Sequence, residues 1–195
     1  LLVLDHQRRF NSNCRRLRDY IVAGELGEVT SVNLQWGNGR LGNVGTRTID
    51  GLMMLTGRKV TRVSGHLDLA AANPTVAARN SRTPSGWGVL MLEGNLRVTG
   101  CARLRNRKTI NGTLGRAQPN QTGVTIEKWD GTTEHWEAPS RSPSGMDRAV
   151  DEIVQHLDGA AELPHDAEEG RLTFEAIVGF RALDHRDGQF VDLRR

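Results

Sequence analysis

The sequence has two cysteines, Cys14 and Cys101, far apart and with no C-x-x-C pair, so a zinc site or a redox couple has nothing to stand on. Two buried free thiols fit a reducing compartment, which makes the cytoplasm the expected location. Long apolar runs are missing too. None approaches the ~18 residues of a membrane-spanning helix, which sets aside insertion by such a helix. Lysine is scarce: Lys59, Lys108 and Lys128 are the only lysines among 26 basic residues. No internal repeat or low-complexity segment is present. The chain also opens without methionine. Leu1-Leu2-Val3-Leu4 has no positive flank or cleavage site of a signal peptide and reads as an internal strand of a longer polypeptide.

What is present is ordinary for one globular domain. At 195 residues, with 37% hydrophobic and 25% charged content, the chain can bury a core without disulfides or a structural metal. The formal net charge is +3. A basic balance can signal nucleic acid, but here the arginines are spread among 23 acids. The densest clusters, Arg15-Arg16-Leu17-Arg18 and Arg103-Leu104-Arg105-Asn106-Arg107-Lys108, carry no interleaved aromatics for base stacking and read as solvated faces.

Periodicity then divides the chain. Ser12 is a candidate N-cap for a helix in which Cys14, Leu17 and Ile21 share a face and Gly24 supplies the stop. From Glu28 to Trp36 the period is two, with Thr30, Val32, Leu34 and Trp36 on one side, as a half-buried strand requires. Thr46 to Thr56 returns to helical spacing through Ile49, Leu52, Met53 and Thr56, with Gly57 as the stop. Strands are predicted over Val60–Leu69, Gly86–Leu92, Leu96–Leu104, Val124–Lys128 and Thr132–Glu137. Asp130-Gly131 marks a type I′ hairpin between the last two, and Asn73 to Ser85 is a loop. Two helices close the chain. The first runs from about Met146 to Leu157 with Val150, Ile153, Val154 and Leu157 inward and Gly159 at its end. The second is capped by Asp166 and Glu169 and buries Leu172, Ala176, Gly179, Phe180 and Leu183. A short strand, Gln189–Leu193, follows. This pattern predicts a single α+β domain over residues 1–195: an open, predominantly antiparallel sheet with helices packed on one face. The other face is left for a partner, most simply a second copy in a homo-oligomer.

Chemistry is hard to find by motif. No serine sits in a G-x-S-x-G elbow, and no pair of the six histidines has metal-ligand spacing, so no metal is expected. His66 and His135 fall on strands, His156 and His185 near helix ends, and His165 beside the capping Asp166. Gly37-Asn38-Gly39-Arg40-Leu41-Gly42 matches G-x-G-x-x-G literally. It lacks a parallel crossover unit and the acidic residue of a second strand, so turn glycines are the better reading.

Three stretches together carry a family resemblance. Asp5-His6-Gln7-Arg8-Arg9-Phe10-Asn11, then a helix ending Ile21-Val22-Ala23-Gly24-Glu25-Leu26-Gly27-Glu28-Val29, resembles the Gfo/Idh/MocA family, whose members include glucose-fructose oxidoreductase and inositol dehydrogenase. Gly39 to Gly57 is similar to that family's N/D-x-G-x-H-x-x-D motif and the apolar helix after it. Leu163 to Gly170 and Phe190 to Leu193 resemble its closing helix and strand. The resemblance implies the second domain of a two-domain, NAD(P)-dependent oxidoreductase acting on a sugar, polyol or sugar derivative, with a dihydrodipicolinate reductase-like C-terminal domain fold. The N-terminal Rossmann domain that binds NAD or NADP, and the E-K-P segment with its catalytic lysine, would lie upstream of Leu1. This chain alone would then bind no cofactor and be inactive.

Carried over by residue, the resemblance places Asn43, Arg47 and Asp50 at the substrate and Arg8 and Arg9 near the cofactor. Arg47 stands where the catalytic histidine is expected. A guanidinium cannot exchange protons near neutral pH as an imidazole does, so the acid/base step is unassigned. Arg47 could pair with Asp50 one helical turn on, or anchor a carboxylate or phosphate of a substrate. A binding or scaffold protein of the same fold, with catalysis lost, is the competing reading.

Overall fold

The structure is a computed structural model. It describes residues 2–4, 6–36, 41–68, 85–101, 107–120, 122–138, 143–162, 165, 167–183 and 189–193. Its centre is a nine-stranded sheet in the order β8-β7-β6-β5-β1-β4-β3-β2-β9. The strands are β1 (Val29–Gln35), β2 (Val60–Asp68), β3 (Ser85–Leu92), β4 (Arg97–Cys101), β5 (Lys108–Gly112), β6 (Gly115–Pro119), β7 (Gly123–Lys128), β8 (Thr133–Glu137) and β9 (Val191–Asp192). Among the described strands only β1 and β4 pair in parallel; the other pairings are antiparallel. Among the described residues there are four α-helices: α1 (Ser12–Val22), α2 (Thr46–Thr56), α3 (Gly145–Leu157) and α4 (Ala167–Ala182). The predicted α+β architecture is the observed one.

Strand alternation sorts the two faces. Val32 and Leu34 on β1, Val98 on β4, Leu90 on β3 and Val63 on β2 point into one core with Leu17, Ile49, Leu52, Ala176 and Phe180 of the helices. The opposite face carries exposed Asn33, Arg97, Thr99 and His66, and a Trp87 that is 57% exposed. Helices approach the sheet closely where the strands carry glycine. A Cβ at Gly88 would stand 2.3 Å from the Phe180 ring, and one at Gly100 would stand 2.0 Å from Trp36. Gly100 therefore makes the space into which the fully buried Trp36 folds, edge-on to Phe180 at 6.2 Å.

Several local expectations change. The N-cap of α1 is Asn11, whose side chain accepts from the Cys14 N–H at 3.0 Å, and Ser12 is the first helical residue. Leu2 to Leu4 lie outside the sheet rather than in a strand, and the Leu4 carbonyl accepts from the His6 N–H. The β7–β8 hairpin is not type I′: Gly131 has φ +92°, but Asp130 does not share the positive φ. Gly131 N–H donates to the Lys128 carbonyl and the Asp130 carboxylate accepts from the Thr132 N–H, the pattern of a type I turn closed by a glycine bulge. Both cysteines are half-buried rather than fully buried. Strands β5 and β6 are unanticipated, because each offers one buried apolar side chain, Ile110 or Ala117, too few to make a period. The predicted loop over Asn73 to Ser85 lies outside the described residues except for Ser85, and the Asp166 cap lies outside them entirely.

The largest correction concerns α3. Val150, Val154 and Leu157, expected inward, are 52%, 48% and 66% exposed. The helix is seated by other groups: a Ser144/Asp147 capping box, buried Ala149, Arg148 donating to the Phe10 carbonyl, and Glu152 bridging to Arg15 at 2.7 Å. Polar contacts set its orientation and leave the apolar stripe facing out.

Replacing Gly100 with alanine is expected to cost about 1–3 kcal/mol through overpacking against Trp36. Urea denaturation checks this; an unchanged midpoint would contradict the close approach of β4 to the indole.

Candidate functional site

A 3-10 turn, Gln7–Phe10, leads into α1, and its buried Phe10 pins the corner against the body of the protein. Opposite stands α2, which follows β1 through a π-helical turn at Leu41–Gly45. Thr48, Ile49 and Asp50, on its first turns, are fully buried. His165, two residues before α4, completes the enclosure.

These segments meet at one carboxylate. Arg9 Nε donates to Asp50 Oδ1 and Oδ2 at 3.0 and 3.1 Å, and Arg9 Nη2 stands 2.9 Å from Oδ1. His6 Nδ1 and His165 Nε2 lie 3.1 and 3.3 Å from the same oxygen. Neither ring nitrogen makes an aligned hydrogen bond there. Arg9 extends the network through Nη1 to Glu169 on α4 at 2.9 Å.

Burial alone would raise the Asp50 carboxyl; the neighbouring His165, His6 and Arg9 outweigh it and hold the group well below the usual carboxylate range. His165 moves the other way. Burial opposes its charge, but Asp50 and the Leu4 carbonyl favour it and its pKa is raised. A carbonyl only accepts, so Nδ1, 2.9 Å from Leu4 O, carries a proton, and a second proton on Nε2 turns the ring into a cation facing Asp50.

His6, Asp50 and His165 each place a ligand atom within 4.8 Å of the others, the donor set of a two-histidine, one-carboxylate centre. Arg9 argues against that use, because its guanidinium already occupies the Asp50 oxygen that a divalent cation would need and repels it. The cluster fits a buried ion network better than a metal centre.

Of the residues singled out in the sequence, Arg9 and Asp50 are brought together inside the protein, 11% and 0% exposed in their side chains. Arg8 donates to Thr48 Oγ1 at 2.8 Å, bridging the corner to α2 one residue from Arg47. Arg47 is exposed and makes no ion pair among the described residues; Asp50 pairs with Arg9 instead. Asn43 lies on the π-helical turn, and its side chain is outside what the structure describes. The sequence reading missed His6 and His165, which stand 159 positions apart and become neighbours only in the fold. It also missed Lys108. Expected on a solvated face, Lys108 lies instead in a cavity with Arg8, and burial first, then Arg8, push its amine down to about 7.

No protein-family model matches the sequence, and no curated protein matches it. Solved structures do match the fold. An aldose-aldose oxidoreductase from Caulobacter crescentus, complexed with glycerol, superposes with a TM-score of 0.80 at 15% identity, covering 98% of this chain and 64% of that one. An oxidoreductase from Sinorhizobium meliloti gives 0.78 at 15%, covering 98% and 64%. A super-repressor mutant of Gal80p from Saccharomyces cerevisiae gives 0.77 at 12%, covering 97% and 64%. At such identities the likeness establishes the fold alone. The chain spans about two thirds of the length of the solved structures it matches, such as 63% of an oxidoreductase structure from Thermotoga maritima and 69% of a dehydrogenase structure from Bordetella bronchiseptica.

The two shifted groups define a pH window. Asp50, lowered on folding, contributes stability that is present above about pH 4 and lost only in stronger acid. His165, raised on folding, contributes stability that is full below about pH 6.5 and lost as pH rises through its folded pKa. Relative to the parent, His165→Gln is expected to lose most stability between about pH 4 and 6.5 and to close the gap above it, with a slope of at most about 1.4 kcal/mol per pH unit. Denaturation series at several pH values test this; a gap that does not change with pH would contradict a charged His165.

Proposed function

We propose that this chain is the C-terminal, substrate-side part of an NAD(P)-dependent oxidoreductase of the Gfo/Idh/MocA type, acting on a sugar, polyol or sugar derivative. The observation that carries the proposal is the convergence of the Gln7-Arg8-Arg9-Phe10 corner on the Thr46–Thr56 helix through Arg9–Asp50 and Arg8–Thr48. Those are two of the three stretches that resemble the family, and the fold of the described residues is one that oxidoreductases of known structure share. The aldose-aldose oxidoreductase among them supports the sugar class.

In this reading a Rossmann domain upstream would hold the nicotinamide, which would supply the hydride chemistry. The residues of this chain bind and orient. Arg47, exposed at the start of α2, grips a polar or anionic group of the substrate; Asn43 sits one helical turn before it. Asp50 and Arg9 act beneath the surface as positioning residues, since a carboxylate with no exposure holds the helix rather than the substrate. The upstream domain also gives the exposed apolar stripe of α3 something to cover it, and a second copy of the chain would cover the outer sheet face around Trp87.

A second reading has its own support. Gal80p, whose solved structure is of a super-repressor mutant, has the same fold, and Arg47 cannot serve as a proton carrier, so a binding protein without turnover is the competing function.

The isolated chain should show no saturable binding of NADH or NADPH; tight binding to it would overturn the missing-domain reading. With the upstream domain restored, sugars and sugar acids should be turned over. Arg47→Ala should then lower kcat/KM by about 10- to 100-fold, the worth of a charged hydrogen bond. Absence of turnover with NADH or NADPH bound would favour the binding protein.

A further inference from the structure

The cavity that Lys108 enters is not accounted for by the Asp50 network. It has a volume of about 320 Å³ and opens between the N-terminal end of α1 and the β6–β7 hairpin. That is enough for a sugar-sized molecule. Strand alternation aims Lys108 into it: Ile110 and Gly112 of β5 are buried, and Lys108, in phase with them, comes up beneath α1 beside Cys14. Among the described residues its amine makes no hydrogen bond and no ion pair. Unlike the ring nitrogens of His6 and His165, Nζ is not sealed off and can be reached from the cavity.

We propose that Lys108 is a carbonyl-capturing amine: a small aldehyde enters the cavity and is held as an imine on Nζ. The Nζ lone pair forms the new C–N bond while the carbonyl π pair moves to oxygen, which takes up a proton. The amine then gives up its protons and the former carbonyl oxygen leaves as water. No oxidant or reductant is needed, and hydrolysis returns amine and aldehyde. The capture stands on the amine and its cavity. That the aldehyde is an open-chain aldose rests on the function proposed above, and the lining suits its hydroxyl groups. Asn11 accepts from the Cys14 N–H, Asn13 donates to the Glu137 carbonyl, and Asn120 accepts from Thr122, which leaves the other end of each amide for a hydroxyl.

The surroundings select the amine as the nucleophile. Among the described residues the titratable groups facing Lys108 are Arg8 from the corner and Cys14 from α1. Burial first, then Arg8, push the amine down to about 7, so about half of it is free base at neutral pH. Burial pushes the Cys14 thiol up, which keeps it protonated and unreactive toward the same carbonyl. An ordinary lysine is free base in only about one molecule in 2,500 at pH 7.

The scarcity of lysine makes this measurable, with Lys59 and Lys128 as internal references. The 195-residue chain is incubated at pH 7 with D-glyceraldehyde and cyanoborohydride, which fixes each imine as a secondary amine, and the adducts at the three lysines are followed by peptide mass spectrometry. Lys108 should be labelled at least about tenfold faster than Lys59 or Lys128, the part of its free-base advantage that remains because a weaker base is also a weaker nucleophile. In urea the three should react alike, and Lys108→Arg should remove the fast adduct while the other two keep their rates. Labelling of Lys108 should saturate with glyceraldehyde and slow in the presence of glucitol. Equal labelling by butanal, with no effect of glucitol, would keep the amine site and overturn its assignment to aldoses. Labelling of Lys108 no faster than that of Lys59 and Lys128 would overturn the capture itself while leaving the oxidoreductase proposal to its own test.

Discussion

A carboxylate with no exposure to water has to be compensated by groups of the protein, and Asp50 faces them from three separate places. Arg9 reaches it from the turn before α1, His6 from the segment before that, and His165 from the approach to α4. Arg9 goes on to Glu169. One buried charge thus ties both ends of the described chain to the second helix. Arg8 rides on this tie. Its bond to Thr48 holds in register the residue next to Arg47 and the wall of the cavity that Lys108 enters. Removing one partner of such a cluster leaves a buried charge without compensation, so the network specifies an arrangement more than it adds stability.

The sheet supplies the platform. Glycines at 65, 88 and 100 let α4 and Trp36 come down onto β2, β3 and β4, which brings the start of α4, and with it His165 and Glu169, to Asp50. The same packing leaves one sheet face polar around Trp87 and the apolar stripe of α3 outside. These are the surfaces that the proposed upstream domain and a second copy of the chain would cover.

Much of this architecture was legible in the sequence where burial leaves a period. β1 and α2 were readable almost to the residue, because Val32, Leu34 and Trp36 alternate and Ile49, Leu52 and Met53 follow a helix that Gly57 stops. β5 and β6 were not, since one apolar residue in each leaves no pattern. α3 misled because its apolar stripe is real but points outward, and a stripe does not say which body it meets. The site was legible in part. Arg8, Arg9 and Asp50 were drawn out by resemblance, but their partners were not: His165 and His6 are distant in sequence, and Lys108 hides at the end of a basic run that looks solvated. Position next to a β-strand that points inward was the one available signal for Lys108, and that strand was itself unrecognised.

The dependence of the site on the Asp50 tie is tested most directly by a double-mutant cycle between Arg9→Met and Asp50→Asn, read by equilibrium denaturation at pH 6. The account predicts a coupling of about 1.5 kcal/mol or more, with the double variant less destabilised than the sum of the singles. Additivity within about 0.5 kcal/mol would contradict it, and would mean that the corner and α2 are held together by packing alone.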